Sequence, residues 1–268
     1  MKNKRLKILI SNDDGFQAKG FKVVCKLCAR YGDVVAIAPK EPQSGKSAAL
    51  SMGGTKLWLK KESSQKCSNG HTIEIYSFTG TPVDCVKIAM NTIFSMDNRP
   101  DLLIAGINHG SNASAAAVYS GTLGAAKEGT IYSVPSIALS LDSHDPDASF
   151  AGVKKYFPLI MSNFFAAPPK EGTFLNINFP DIPTSKIKGM VFATQGNGMW
   201  IKEFDEFKNS RGQKYYVMRG EFLNKDKKPY ADHLAVENGY ISVAPQKVDI
   251  TDYEDFERLS KKWKLKVA

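Results

Sequence analysis

Short, continuous apolar runs alternate with longer mixed segments over about the first 180 residues of this 268-residue chain. The runs Leu6–Ser11, Asp33–Ala38, Thr72–Phe78, Asp101–Ala105, Pro135–Leu141 and Thr173–Asn178 have the length of strands. Between them the pattern predicts helices near Phe21–Arg30 and Pro82–Phe94, from Gly121 onward, and near Ala148–Phe165; a charged segment of helix length, Tyr253–Lys264, comes last. Strands that read as unbroken apolar runs are buried on both faces, and strands that alternate with helices pair in parallel. The class is therefore α/β, with a mostly parallel sheet covered on both faces. In open sheets of this kind ligands sit at the carboxyl ends of the strands.

The helix at residue 82 carries its own start signal. Thr81 stands in the capping position, Pro82 at the first helical position and Asp84 in the positively polarised first turn. Two segments break the rhythm. Leu57–Tyr76 holds two β-rich stretches around the polar turn Ser63–Gly70, and Val191–Met218 alternates aromatic and polar residues around Asn209–Gly212. Both predict projecting hairpins.

Composition removes several classes. With 43% hydrophobic and 24% charged residues the chain is an ordinary globular one, not a disordered one. No apolar run approaches the roughly 18 residues of a membrane span. The opening MKNKRLKILISNDDG meets carboxylates too soon for a signal peptide. Cys25, Cys28, Cys67 and Cys85 lack the spacing of a disulfide framework, which predicts reduced thiols and a cytoplasmic protein. The balance of 36 Lys+Arg against 27 Asp+Glu gives +9, which favours anionic partners. The lysines are scattered, at Lys60–Lys61, Lys225–Lys228 and Lys261–Lys266, with no nucleic-acid-binding motif. Solvated lysine faces account for them better than a nucleic-acid groove, and neither a stable nucleic-acid partner nor a membrane is expected.

The sharpest local signal is Ser11-Asn12-Asp13-Asp14-Gly15, directly after the first predicted strand. Two adjacent carboxylates at the end of a buried strand repel each other, and a cation relieves that cost. Oxygen-rich sites suit Mg²⁺, Mn²⁺ or Ca²⁺ better than zinc. The competing explanation is a turn that uses Asp and Gly for their backbone preferences. Gln43-Ser44-Gly45-Lys46-Ser47 follows the second strand; a P-loop would need glycine where Lys40 stands, but Ser44 has the position to face Asp13 and Asp14. Ala105-Gly106-Ile107-Asn108-His109-Gly110-Ser111-Asn112 supplies neutral oxygens and amides at another strand end. Ser120-Gly121-Thr122 opens a helix, where backbone N–H groups and two hydroxyls form either a simple cap or an anion cradle. Together these loops point to metal-assisted chemistry on a phosphate.

Other chemistries fit poorly. The chain has no G-x-S-x-G elbow and no G-x-G-x-x-G after its first strand. Cys25-x-x-Cys28 falls inside a predicted helix without a second cysteine pair, so buried thiols explain it better than zinc or redox work. His71 reads as hairpin surface and His233 as the border of the last β region, whereas His109 and His144 lie at strand ends within reach of a substrate.

The segments SNDDG (11–15), SG (44–45), TGTPVDCV (79–86), GINHGSN (106–112), YSGTLGAAKEG (119–129), VPSIALSL (134–141) and AVENGYISVAPQKVDIT (235–251) resemble, in order and over nearly the whole chain, the survival protein SurE family of nucleoside monophosphate phosphatases. The resemblance implies a Rossmann-like three-layer core over about residues 1–185. A hairpin and C-terminal extension over about 186–268 complete a single domain, and C-terminal elements are exchanged between subunits of a homodimer or homotetramer. It implies a 5′- and 3′-nucleotidase acting on nucleoside monophosphates with one divalent ion per subunit, Mg²⁺ or Mn²⁺, with Ca²⁺ able to occupy the site in a crystal. Carried over motif by motif, Asp13, Asp14, Ser44 and Asn108 would hold the ion, and Asn112, Ser120, Gly121 and Thr122 the phosphate. From the residues themselves, Asp13 or Asp14 is also expected to accept the proton of the attacking water, and His109, at a strand end, to be a substrate contact. The family's Ala-Pro-Gly after the acidic pair is here Ala18-Lys19-Gly20, and residues 57–76 and 196–230 resemble it least.

Two rival readings bear on the same residues. A receiver-like signalling module would also bind Mg²⁺ through an acidic pair, but it needs a phosphoacceptor Asp where this chain has Gly106-Ile107-Asn108. An RNA-binding protein has only the +9 charge in its favour.

Overall fold

The computed structural model describes residues 5–227 and 229–263. The elements are β1 (Leu6–Ser11), α1 (Lys19–Cys28), β2 (Gly32–Pro39), β3 (Leu59–Lys66), β4 (Thr72–Phe78), α2 (Pro82–Thr92), β5 (Leu102–His109), α3 (Ala116–Tyr119), α4 (Gly121–Ile131), β6 (Ser136–Asp142), α5 (Ala151–Ala166) and β7 (Thr173–Pro180). The second part adds β8 (Met190–Phe192), β9 (Gly198–Ile201), β10 (Phe204–Lys208), β11 (Lys214–Met218), β12 (Glu221–Asn224), α6 (Asp232–Glu237), β13 (Ile241–Lys247) and α7 (Tyr253–Lys262). The predicted end of the last helix, Lys264, lies outside the described residues, as do the ends of the basic stretches at Lys228 and Lys266.

Nine strands form one sheet in the order β3-β4-β2-β1-β5-β6-β7-β13-β8. The run from β4 to β7 is parallel throughout, and antiparallel pairing enters only at β3 against β4 and β13 against β7. Alternation along each strand divides the core between the two faces. Ile8 and Ile10 of β1 pack in the cluster that holds Phe21 and Val24 of α1 and Phe157 and Met161 of α5. Leu9, between them, packs with Val86 and Met90 of α2 and Leu123 and Ala126 of α4. Helices on both faces of a central sheet give the expected three-layer α/β architecture.

The start signal read at residue 82 is realised as a capping box. The Thr81 hydroxyl accepts from the Asp84 backbone N–H at 3.1 Å, and the Asp84 carboxylate accepts from the Thr81 N–H at 2.9 Å. The first predicted hairpin does not project. Its second strand, β4, lies inside the parallel sheet beside β2, and only β3 extends the edge. The second hairpin is longer than read. β10 pairs with β11 across the predicted Asn209–Gly212 turn, and beneath them β9 pairs with β12. Asn209 secures that turn by accepting from the Arg211 and Gln213 N–H groups at 2.9 and 3.0 Å. Cys25 and Cys28 are buried on α1, and desolvation pushes the Cys25 thiol up to about 12, which suits inert core packing.

Candidate active site

The carboxyl ends of β1 and β5, the loop after β2 and the start of α4 meet around one cavity of about 440 Å³. β1 delivers the acidic pair. The chain turns sharply after Ser11, with the Asn12 amide donating to the Gly15 carbonyl at 3.0 Å. Asp13 is buried at 4% exposure, and its Oδ1 accepts from the Thr122 hydroxyl. Burial pushes its carboxyl up to about 6; the Thr122 bond opposes that rise and the neighbouring Asp14 charge adds to it. Asp14 is half-buried and also raised by desolvation, against the opposing bond that its Oδ2 accepts from the His109 N–H at 3.0 Å.

The loop after β2 is held to this pair by backbone. The Asp13 carbonyl accepts from the Gln43 N–H at 2.7 Å, which brings Ser44 and Gly45 to the cavity wall. Farther along, the loop lies flat on α4 because Gly124 has no side chain: a Cβ there would stand 2.4 Å from the Ser47 carbonyl oxygen.

β5 reaches the site through an irregularity. Its register against β6 advances from Ala105 to Asn108 while the partner strand advances only from Ala138 to Ser140. Such a bulge re-aims the side chains beyond it. Asn108 donates its amide to the Gly110 carbonyl at 2.8 Å, which leaves its Oδ1 as a neutral oxygen donor on the cavity side. Asn112 is fixed from three directions. Its N–H donates to Asn178 Oδ1 at 2.8 Å, its amide to Ser140 Oγ at 2.8 Å, and its carbonyl accepts from Asn176 at 2.9 Å.

At the start of α4, Ser120 Oγ accepts from the Leu123 N–H at 3.0 Å as the cap and also faces the cavity. Gly121 packs against the Asp13 side chain, and both the hydroxyl and the N–H of Thr122 engage the Asp13 carboxylate. The positive end of this helix therefore faces the buried acid. Of the residues singled out from the sequence, Asp13, Ser44, Asn108, His109, Asn112 and Ser120 line the cavity together; Asp14, Gly121 and Thr122 are not part of its lining but adjoin residues that are. His109 Nε2 is buried without a hydrogen-bond partner among the described residues. His144 and His233 also line the cavity, His233 from α6.

Several participants escape sequence reasoning. Trp200 and Phe222 form an aromatic part of the wall from β9 and β12. Asn176 and Asn178, fully buried on β7, support Asn112. Their signal was present: two polar residues alternating inside an otherwise apolar strand demand buried partners.

No group of three or more His, Cys, Asp or Glu is arranged for a metal among the described residues. The oxygen donors at hand are the two carboxylates, the Ser44 hydroxyl and the Asn108 amide oxygen. This all-oxygen set suits a hard divalent cation, and a cation there would offset the charge that burial disfavours on Asp13.

A family model described as survival protein SurE matches residues 8–202. The 5′-nucleotidase SurE of Christiangramia forsetii is 38% identical over 265 residues, covering 99% of each chain. That of Phocaeicola vulgatus is 37% identical over 268 residues, covering 100% of each. The crystal structure of the SurE protein from Aquifex aeolicus superposes with a TM-score of 0.78 at 29% identity, covering 96% of this chain and 99% of that one.

Proposed function

The chain belongs to the survival protein SurE family, and from that premise we propose that it hydrolyses nucleoside 5′-monophosphates to nucleoside and phosphate, with the aid of a divalent cation. The observation that carries this reading is the meeting of Asp13, Ser44, Asn108, Asn112 and Ser120, drawn from separate loops, at one cavity. Its breadth of about 440 Å³ lies within the range of small-molecule sites.

In this reading Asp13, Asp14, Ser44 and Asn108 hold the cation. When bound, it supplies positive charge against the phosphate oxygens and acidifies the attacking water. The protein's own groups do the rest. Thr122 and the start of α4 hold Asp13 in one orientation, and the His109 N–H does the same for Asp14. One of these carboxylates accepts the proton of the water as its oxygen bonds to phosphorus. Asn112 and Ser120 bind phosphate oxygens from the opposite side, with Gly121 and Thr122 beside Ser120. The bond from phosphorus to the ester oxygen breaks, and the departing nucleoside oxygen takes up a proton from water, with His109 as a substrate contact.

The finer points follow from the same resemblance: 3′-monophosphates as further substrates, Mg²⁺ or Mn²⁺ as the working ion with Ca²⁺ able to replace it, and assembly as a homodimer or homotetramer. Assembly is supported by α7, which buries none of its residues and leaves Phe256 63% exposed. A cytoplasmic location is supported by the free thiols of Cys25, Cys28, Cys67 and Cys85. No helix among the described residues is long and apolar enough to cross a membrane.

A phosphate-release screen over nucleoside 5′- and 3′-monophosphates, with Mg²⁺, Mn²⁺ and Ca²⁺ compared in parallel, tests the reading. Turnover of 5′-monophosphates with an added ion is expected; no release from any of them under any ion contradicts it.

A further inference from the structure

The cavity lining is of two chemical kinds. Carboxylate, hydroxyl and amide groups gather around Asp13, whereas the strands of the long hairpin contribute Trp200 and Phe222. These two residues face each other in the β9–β12 register and meet edge to face, with centroids 5.7 Å apart and planes at 67°. Phe222 in turn meets the His233 ring at 5.4 Å. Although packed in this way, Trp200 keeps 39% of its surface exposed.

The strands that carry the aromatic pair are fixed to the amide-rich loop. The Gly198 N–H at the start of β9 donates to Ser114 Oγ at 2.9 Å. The N–H groups of Ser114 and Gly196 both donate to Asp232 Oδ1 at 2.9 Å. Ser114 lies two residues beyond Asn112, so the base of the hairpin and the amide-rich loop share one anchor. His233 Nε2 lies 3.0 Å from Asn224 Oδ1 at the far end of β12.

We propose that Trp200 and Phe222 form the nucleobase subsite, receiving the base on an aromatic face while the polar groups hold the phosphate; this rests on the phosphatase reading above for the identity of the ligand. Stacking on an aromatic face is tolerant of base identity, because every base presents a π surface, and it strengthens with ring area. The subsite therefore favours purines over pyrimidines in degree and excludes neither. Trp200 and Phe222 are specificity residues here, with no part in the bond-breaking step.

The test uses the full chain with two readouts. Calorimetric titration of adenosine, which carries a base and no phosphate, is compared between wild type, Trp200→Ala and Trp200→Phe. The second readout is the ratio of kcat/KM for adenosine 5′-monophosphate to that for ribose 5-phosphate, measured with Mn²⁺. The subsite predicts that Trp200→Ala weakens adenosine binding about tenfold and lowers the ratio about tenfold, mainly through KM, and that Trp200→Phe restores most of both. Phe222→Leu, which keeps an apolar filler beneath the tryptophan, is expected to lower the ratio as well. Equal adenosine affinity in Trp200→Ala and wild type, no adenosine binding by wild type, or an unmoved ratio would each overturn the subsite. Trp200-dependent adenosine binding without phosphate release from either ester would instead sink the phosphatase reading and leave the subsite standing.

Discussion

The Thr122 hydroxyl donates to Oδ1 of Asp13 across 109 residues of chain, so the first turn of α4 and the end of β1 are joined at the carboxylate most deeply buried in the site. Two donors of Thr122, its hydroxyl and its N–H, orient this carboxylate, and only the hydroxyl depends on the side chain. Thr122→Val retains the shape of the side chain and removes the hydroxyl donor. Its expected effect is a loss of about ten- to a hundredfold in kcat, together with about 1–3 kcal/mol of stability from the buried acceptor that loses one of its donors. Thr122→Ser, which keeps the hydroxyl, is expected to recover most of the activity. Steady-state kinetics and urea denaturation of the two variants check this.

Burial of Asp13 has a consequence for the chelated protein. Its carboxyl stands at about 6 in the fold against an ordinary 3.8. The folded state therefore holds this proton more tightly than the unfolded chain does. The resulting stability is fully present below about pH 4 and is lost as pH rises through 6, an effect of about 3 kcal/mol at most. Asp13→Asn removes it. Denaturation midpoints between pH 4 and 8 in the presence of a chelator should show wild type losing stability relative to the variant as pH rises; parallel profiles would contradict the assignment.

Asp232 is the structural counterpart. It is fully buried, and its Oδ1 accepts from the N–H groups of Ser114, Gly196 and His233 at 2.8–2.9 Å. Asp232→Ala leaves three backbone donors without their acceptor and is expected to cost about 2–4 kcal/mol. Asp232→Asn keeps an acceptor oxygen and is expected to cost less. Thermal unfolding of the two variants separates these outcomes.

Gly20 packs against the end of β5 that carries Asn108. A Cβ at this position would stand 2.2 Å from the Ile107 carbonyl oxygen. Gly20→Ala forces α1 and β5 apart, at about 1–3 kcal/mol, and is expected to lower affinity for the activating ion by displacing Asn108. Titration of Mn²⁺ into the metal-free variant measures that loss. By contrast, Lys19 holds the start of α1 by donating to the Asp147 and Ala148 carbonyls at 3.1 and 3.0 Å.

What was legible in the sequence was local. The unbroken apolar run Leu6–Ser11 could only be a strand buried on both faces, and the acids after it had to emerge at that strand's carboxyl end. Thr81, Pro82 and Asp84 specified a helix start through contacts within four residues. The Trp200–Phe222 pair was not legible, because the two residues meet only through the pairing of β9 with β12, strands separated in sequence by the whole β10–β11 hairpin. The role of Thr122 was concealed for a related reason. Helix-opening hydroxyls cap or bind anions in isolation, and only the tertiary approach of β1 turns this one towards Asp13. The edge hairpin was misplaced because alternating polarity in Thr72–Phe78 suits a projecting strand as well as one beside β2, where Glu74 and Tyr76 remain half-buried.

The most direct test of the account strips the protein of metal with a chelator and follows phosphate release from adenosine 5′-monophosphate before and after Mn²⁺ is restored, in wild type and in Asp13→Asn. The account predicts that stripped wild type is inactive, that Mn²⁺ restores it, and that the variant remains orders of magnitude slower with the ion present. Undiminished turnover by the stripped protein, or an Asp13→Asn variant as fast as wild type, would contradict it.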